Sequence, residues 1–276
     1  MNPHASHPAS LQAMARSLWH NRRLIAQMTR REVVGRYQGS ILGLAWSFFN
    51  PLLMLTAYTF VFSVVFKARW GQGDGESRAQ FAVILFVGMI VHGLFAEVIN
   101  RAPSLIVGNA NYVKKVVFPL EILPAVSLGA ALFHAVASLV VLLAAVAILT
   151  GPPNWTAALI PLVLLPLAIF SLGLAWLLAA LGVFLRDVGH AVGIVTSLML
   201  FLSPVFFPVS ALPEAYRPLL LANPLTFIIE QARMVLIFKT PPDWAGMCLY
   251  SLAALAVAWL GYASFQKTRK GFADVL

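Results

Sequence analysis

Charged side chains are scarce in this sequence of 276 residues: Asp, Glu, Lys and Arg together make up 11% of it, whereas apolar residues make up 60%. Soluble domains carry roughly 25% charged residues. Water therefore cannot be the only solvent of this chain, and the composition predicts an all-α protein embedded in a membrane. The remaining charge is mostly positive, with 19 Lys and Arg against 10 Asp and Glu. In a membrane protein this excess serves topology and contact with membrane lipids rather than nucleic acid.

Cysteine is also scarce, since Cys248 is the single one, which excludes an intrachain disulfide and a cysteine-based zinc cluster. The motifs of phosphate-binding loops, zinc proteases and serine hydrolases are absent, so no catalytic or metal site is expected. His92, His134 and His190 are far apart in the sequence and are expected to form ordinary hydrogen bonds in helices. Glu97 is either a functional carboxylate or, more simply, one partner of an interfacial salt bridge.

Long uncharged runs divide the chain into about six candidate membrane spans, each near the roughly 20 residues that cross a bilayer. The run from 122 to 185 contains no Asp, Glu, Lys or Arg and would be about 96 Å long as one helix. The cluster Gly151-Pro152-Pro153-Asn154 is predicted to divide it. The predicted spans, within a transmembrane domain over 44–265, are 44–66, 81–99, 122–149, 157–185, 188–209 and 244–265.

The apolar stretch before the last span is interrupted by Pro204, Pro208, Pro213, Pro218 and Pro224. Its pieces are too short to cross the membrane. Helices that break at membrane depth need shelter from protein or from a water-filled cavity. We therefore predict broken, partly re-entrant helices over 210–240 that line a gate or pore mouth.

A basic amphipathic segment precedes the first span. Apolar residues recur at helical spacing between Leu11 and Arg36, with arginines between them, which predicts an interface helix within 11–43. Residues 1–10 form a leader that is expected to be disordered, and 266–276 form a short tail. Lys and Arg outside the spans are more numerous on the side of the N-terminus, so both termini are predicted to be cytoplasmic.

Arginines and a tyrosine stand immediately before the first span. The guanidinium fork binds phosphate through two parallel hydrogen bonds, and the head of a phosphorylated lipid would lie at this depth. Anchoring of the chain by the same arginines, according to the positive-inside rule, is the alternative. The candidates for phosphate binding are Arg30, Arg31, Arg36 and Tyr37.

Aromatic residues crowd the first and fifth spans. Flat apolar rings stack on sugar rings, whereas rings near the ends of spans also form the interfacial belt of membrane proteins. Both interpretations stay open at this point. The candidates for the wall of a sugar channel are Trp46, Phe49, Tyr58, Phe62, Phe201 and Phe206.

Several short motifs follow one another from residue 30 to the end of the last span. They are Arg36-Tyr37, Gly39-Ser40-Ile41-Leu42-Gly43, Trp46, Asn50-Pro51, Phe184-Leu185-Arg186-Asp187, Ser203-Pro204-Val205 and Asn223-Pro224-Leu225. In this order they resemble the ABC-2 type permeases that export polysaccharides, and most of all the Wzm/TagG-like branch, which handles O-antigen or teichoic acid chains.

The resemblance implies a homodimer in the bacterial inner membrane that binds two copies of a separate Wzt-like ATPase subunit on its cytoplasmic side. ATP and Mg would be held by that partner, and no cofactor by this chain. The implied substrate is a glycan linked to polyprenyl pyrophosphate, and the helices over 210–240 are implied to form a periplasmic gate between spans 5 and 6. The residues implied for the lipid pyrophosphate are Arg36, Tyr37, Arg30 and Arg31, and those implied for coupling to the ATPase are Arg186, Asp187, Lys114 and Lys115.

Two other functions fit part of the pattern. An ABC-2 permease for a small molecule or drug would need a narrow cavity, and a membrane-embedded lipid or sugar transferase would need clustered acids or histidines at one depth. A chain without a phosphate-binding loop must obtain its energy from a partner. We therefore expect a permease subunit that moves a lipid-linked polysaccharide and is not itself an enzyme.

Overall fold

The computed structural model describes residues 9–61, 78–114, 118–149 and 151–276, and every regular element in these ranges is helical. This confirms the all-α prediction for that part of the chain. Short 3-10 turns extend several of the helices at their ends. The α-helices are α1 (Leu11–His20), α2 (Arg22–Arg36), α3 (Trp46–Tyr58), α4 (Arg78–Arg101), α5 (Ala110–Lys114), α6 (Leu123–Leu149), α7 (Ile160–Phe184), α8 (Val188–Phe201), α9 (Arg217–Leu221), α10 (Pro224–Leu236), α11 (Trp244–Thr268) and α12 (Phe272–Val275).

Five helical stretches of the described chain are long and apolar enough to cross a membrane. They correspond to the first four predicted spans and the last one, although residues 62–66 of the first prediction lie outside the described ranges. The turn predicted at 151–154 does separate α6 from α7, since α6 ends at Leu149 and the 3-10 helix that leads into α7 begins at Trp155. The five stretches are Gly43–Val61, Gln80–Ser104, Leu120–Leu149, Trp155–Phe184 and Trp244–Val275.

The predicted span 188–209 is shorter in the structure. Its helix, α8, has 14 residues and is about 21 Å long, less than the roughly 30 Å of a hydrocarbon core. Pro204 lacks an N–H and disfavours helical backbone at Ser203, so the helix ends at Phe201 although apolar residues continue. The Asn223 side chain then holds the loop by donating to Leu202 O at 3.0 Å and Ser203 Oγ at 2.9 Å.

The proline-rich stretch contains α9 and α10, which meet at a bend of 93°. Asn223 caps α10, because its side-chain oxygen accepts a hydrogen bond from Leu225 N at 2.9 Å, and Pro224 occupies the first turn, where no N–H is needed. Counting the bent pair as one broken span raises the number of candidate spans from five to six. The helices do break at prolines, while their re-entrant position in a membrane stays a prediction.

The N-terminal segment forms two helices rather than the continuous one expected from its apolar spacing. The break lies at Asn21, whose backbone and side-chain N–H groups both donate to Ser17 O. Beyond it, α2 packs on α6: Thr29 Oγ1 approaches Val126 O, and a Cβ added to Gly129 would lie 2.6 Å from Thr29 Oγ1. Thus α2 is part of the helical bundle.

The core is centred on α4, most of which is buried. On its far side α7 and α11 cross with their backbones in contact. A Cβ added to Gly173 would lie 2.6 Å from Ala258 Cα, and one added to Gly261 would overlap the Gly173 carbonyl oxygen. This crossing therefore requires glycine at both positions, as in other close contacts between membrane helices.

A cation lies inside the part of the bundle that the structure describes. Arg233 of α10 is fully buried, and its Nε and Nη2 donate to Ile84 O at 3.2 Å and Val205 O at 3.1 Å. Its Nη1 donates to Glu230 Oε1 at 2.9 Å. The guanidinium therefore joins α10 to α4 and to the loop that follows α8.

Candidate functional site

Arg36 and Tyr37 stand where α2 ends. Arg36 is the last helical residue and Tyr37 caps the helix. The chain then turns through Gly39 and Gly43, whose φ angles of +82° and +50° favour glycine, and enters α3. This turn brings the end of α2 beside α4 and α6.

Arg36, Glu97 and His134 form a three-residue cluster, called here the Arg36 cluster. Arg36 Nη1 lies 2.6 Å from Glu97 Oε1, and His134 Nδ1 lies 2.9 and 3.0 Å from the two oxygens of the same carboxylate. Because an imidazole nitrogen that donates to a carboxylate carries a proton, the 3.3 Å contact between Arg36 Nη1 and His134 Nδ1 joins two donors and is not a hydrogen bond. Glu97 therefore accepts from both neighbours, which confirms the salt-bridge interpretation.

Tyr37 lies beside the Arg36 cluster. Its ring meets the His134 ring edge-on, with 6.2 Å between the centroids. Burial raises the pKa of the Tyr37 hydroxyl above its ordinary value, against a smaller lowering by the Arg36 guanidinium and together with a further rise from Glu97. The hydroxyl thus stays protonated at neutral pH and can donate a hydrogen bond.

Two cavities meet at the Arg36 cluster. The first, called the groove, runs between α3, α4 and α6 and has a volume of about 610 Å³. The second, called the recess, lies between α2, α4 and α6, has a volume of about 640 Å³ and is lined by Glu32, Asn100 and Arg101. All three side chains of the cluster line both cavities. An anion that passed between recess and groove would therefore meet Arg36, whose side chain is half exposed.

One face of α3 forms a wall of the groove. Trp46, Asn50, Met54 and Tyr58 line it and follow one another at intervals of four residues, which places them on one side of a helix. Phe49 lies off this row and is exposed elsewhere. The groove therefore presents two aromatic rings and an amide along α3.

Phe201 and Phe206, two further predicted aromatics, are not in this wall. Phe201 and Phe206 stack on each other, with 5.8 Å between their centroids, and Phe201 lies on an exposed face of α8. Phe62 lies outside the described residues. Of the five candidates among the described residues, the structure brings Trp46 and Tyr58 together along the groove.

Arg30 and Arg31 are separated from the Arg36 cluster. Both are exposed on α2 and line neither the groove nor the recess, because the residues of α2 that face inward lie at other helical positions. The grouping of all four phosphate candidates in one site is therefore not seen.

The predicted coupling residues that the structure describes lie at the end of the bundle where α7 finishes. Arg186 and Asp187 form the exposed turn between α7 and α8. α12 contacts α5 and α7 near this turn, and Phe272 packs against Phe184 and Phe265 at 5.9 and 5.4 Å between centroids. Lys114 is the last residue of α5, and Lys115 lies outside the described residues.

A polar junction at the start of α6 was not predicted from the sequence. Glu121 accepts from Ser17 Oγ at 2.9 Å, and its other oxygen lies 2.7 Å from Arg269 Nη1. Trp176 Nε1 donates to the backbone oxygen of Glu121 at 2.8 Å. The junction ties α1, α7 and the C-terminal tail together. The available signal in the sequence was an acid, Glu121, at the start of an apolar helix. That signal does not predict which distant residues bind the carboxylate.

Comparison with known proteins gives relatives along nearly the whole chain. Residues 23–237 match the family described as ABC-2 type transporter. The O-antigen export system permease protein RfbA of Myxococcus xanthus is 29% identical over 263 residues, 95% of this chain and 98% of that protein. An RfbA permease of Klebsiella pneumoniae is 24% identical over 255 residues, 92% of this chain and 95% of that protein. The capsule polysaccharide export inner-membrane protein CtrC of Neisseria meningitidis is 26% identical over 259 residues, 92% of this chain and 94% of that protein.

Proposed function

This chain belongs to the ABC-2 type transporter family, and we propose that it is the permease subunit of an exporter that moves a lipid-linked polysaccharide across the bacterial inner membrane. The observation that carries the proposal is the similarity, along more than nine tenths of the chain, to permeases named for O-antigen and capsule export. Residues 23–237, which match the family, contain four of the five candidate spans of the described chain, and the fifth, Trp244–Val275, follows them.

The energy for export comes from a separate ATPase subunit. The sequence contains no phosphate-binding loop of its own, so ATP and Mg are bound by the partner chain. Two copies of the permease pair with two copies of the ATPase, and both termini face the cytoplasm. The docking surface includes the exposed turn Arg186–Asp187 and Lys114, and the packing of α12 against α5 and α7 supports a common platform there.

The substrate enters at the Arg36 cluster. A polyprenyl pyrophosphate head approaches Arg36 and Tyr37 through the recess, and the attached sugars follow the groove past Trp46 and Tyr58. Half-exposure of Arg36, the protonated Tyr37 hydroxyl and the aromatic wall support this path. From Trp46 to Tyr58 the wall is about 18 Å long, which suits a chain of sugars better than one small molecule.

Disruption of the gene tests the proposal. The expected result is loss of a surface polysaccharide, seen on gels of extracted glycans, with accumulation of its lipid-linked form inside the cell. The wild-type gene supplied on a plasmid should restore the surface polymer. An intact surface polysaccharide in the disrupted strain, together with a changed tolerance to small toxic compounds, would instead favour an exporter of small molecules.

A further inference from the structure

Two hydrogen-bond donors from different helices converge on one acceptor in the Arg36 cluster. Arg36 donates from the end of α2 and His134 from α6, and both reach the carboxylate of Glu97 on α4. A guanidinium and an imidazole N–H that point at one anionic oxygen pair form the arrangement that binds phosphate oxygens in proteins. The donors of a phosphate site are thus present, and a side chain of the protein occupies the position of the ligand.

Glu97 has a second cation within reach. Arg101 follows it by four residues on α4, so the two side chains share one helix face, with the acid on the N-terminal side, which is the favourable order. Arg101 lines the recess together with Glu97, and it pairs with Glu32 of α2 in the present state. The Glu97 carboxylate can therefore leave Arg36 and remain beside a positive charge. Its displacement does not strand a buried charge without a partner.

The charge of the incoming headgroup decides whether Glu97 leaves. A phosphodiester lipid carries one negative charge, the same as the Glu97 carboxylate. Because the carboxylate is tethered at high effective concentration, the phosphodiester gains no advantage over it. A diphosphate diester carries two charges and offers oxygens to Arg36 and His134 at once. Only the diphosphate gains enough attraction to replace the resident carboxylate.

We infer that Arg36 and His134 form a two-donor phosphate site whose resting occupant is Glu97, an internal carboxylate that a diphosphate displaces and a single phosphodiester headgroup does not. This inference rests on the proposed function, in which the substrate lipid carries a pyrophosphate. It assigns Glu97 the task of keeping ordinary anionic phospholipids, which far outnumber the substrate in the membrane, out of the site. His134 becomes a second residue that binds the substrate directly, beside Arg36.

Lipid binding to the full-length protein tests the inference. Wild type and Glu97→Gln are reconstituted in nanodiscs of zwitterionic lipid, and bound lipid is counted by native mass spectrometry with two probes: phosphatidylglycerol and a polyprenyl diphosphate linked to one N-acetylglucosamine. Wild type should retain the diphosphate and not phosphatidylglycerol. Glu97→Gln should retain phosphatidylglycerol and bind the diphosphate roughly ten-fold more tightly, within the usual range of coupling between sites.

Glu214→Gln is the matched control, because it removes the same charge from an exposed surface pair, and it should bind both probes as wild type does. If the Arg36–Glu97 ion pair were merely structural, Glu97→Gln would change the diphosphate affinity in the opposite direction. Loss of the pair would then loosen the site and weaken diphosphate binding. Weaker or unchanged binding of both probes by a folded Glu97→Gln protein overturns the inference.

Two further variants keep the outcomes separable. His134→Ala should bind the diphosphate more weakly, while His134→Gln, which keeps an N–H donor, should recover part of that loss. Wild-type binding by His134→Ala counts against the two-donor site.

Arg36→Ala tests the proposed function itself. If Arg36→Ala binds the diphosphate normally, the phosphate role of this site fails, whereas loss in Arg36→Ala without gain in Glu97→Gln rejects only the role of Glu97.

Discussion

Glu121 and Arg269, which are 148 positions apart in the sequence, form an ion pair with 2.7 Å between Arg269 Nη1 and Glu121 Oε2. Both side chains are largely shielded from solvent, and Ser17 donates to the other carboxylate oxygen. Through Glu121 at the start of α6, the C-terminal tail is connected to Ser17 of the N-terminal helix α1. Removal of one partner from a shielded pair costs more than removal from an exposed pair, because the other partner is left poorly solvated.

Replacement of Glu121 by Gln should lower the stability of the protein. Arg269 and Ser17 would both lose a charged acceptor, and we expect a loss of roughly 1–3 kcal/mol in the free energy of unfolding. Thermal unfolding of the purified protein in detergent measures the change. Glu214→Gln, in an exposed pair worth about 0–1 kcal/mol, is the control. Equal melting temperatures for the two variants would argue against a special role of this junction.

Replacement of Gly261 by Ala should separate α7 from α11. The added methyl group would overlap the Gly173 carbonyl oxygen, a backbone atom that cannot rotate away. Overpacking of this kind costs about 1–3 kcal/mol, and the melting temperature should fall accordingly. Gly35→Ala is the matched control, because a Cβ there meets nothing within 4 Å and alanine favours the helix. A Gly261→Ala protein as stable as Gly35→Ala would show that the crossing is looser than the structure indicates.

Replacement of Arg36 by Ala should reduce polysaccharide export by more than ten-fold while leaving membrane insertion intact, since this side chain provides the guanidinium fork between recess and groove. Arg36→Lys should restore only part of the activity, because an ammonium keeps the charge without the fork. Arg31→Ala, on the exposed face of α2, should export nearly normally. Surface polysaccharide per unit of membrane protein is the measurement. Equal losses in Arg36→Ala and Arg31→Ala would favour general anchoring by positive charge.

Replacement of Trp46 by Ala should impair export more than replacement of Phe49. Both rings are partly exposed, but only Trp46 lines the groove. Loss of a stacking surface costs a sugar chain about 1 kcal/mol per ring, so the export rate in a pulse-labelling experiment should fall several-fold in Trp46→Ala alone. A larger defect in Phe49→Ala would move the sugar path to the other face of α3.

Replacement of Asp187 by Asn should weaken association with the ATPase subunit. The side chain is exposed in the turn between α7 and α8 and makes no capping hydrogen bond there, so the substitution spares the fold. Co-purification of a tagged ATPase with the permease measures the effect, with Glu214→Gln as the charge-matched control. Unchanged recovery of the ATPase would mean that this turn does not take part in docking.

The long helices were predictable because uncharged runs of the required length leave few alternatives. The end of α8 was not, since apolar residues continue to position 209 and the contact that fixes the loop, Asn223 on Ser203, comes from a later part of the chain. Local pattern predicts that a proline disturbs a helix. It does not predict whether the interruption is a kink inside a span or the end of one.

The residues of the Arg36 cluster each attracted notice in the sequence, yet their association did not. Arg36 and Glu97 are 61 positions apart and Glu97 and His134 are 37 apart, so only the packing of α2, α4 and α6 brings them together. The groove wall was only partly within reach of the sequence. Four-residue spacing places Trp46 and Tyr58 in one row, but Phe49 follows Trp46 by three residues and is close to the same face of the helix. The packing of α3 on α4 and α6 decides which of these rings lines the groove.

The glycine crossing of α7 and α11 limits how the protein can move. Two helices whose backbones interlock cannot slide past each other without breaking that contact, so we expect α7 and α11 to move as one rigid unit during transport. We expect displacement at α3 instead, since Ser47 and Leu55 are its only buried residues between Trp46 and Tyr58. A passage wide enough for a sugar polymer would then open by movement of α3, which has few buried side chains, away from the rigid α7–α11 pair. The rest of the bundle would not need to rearrange.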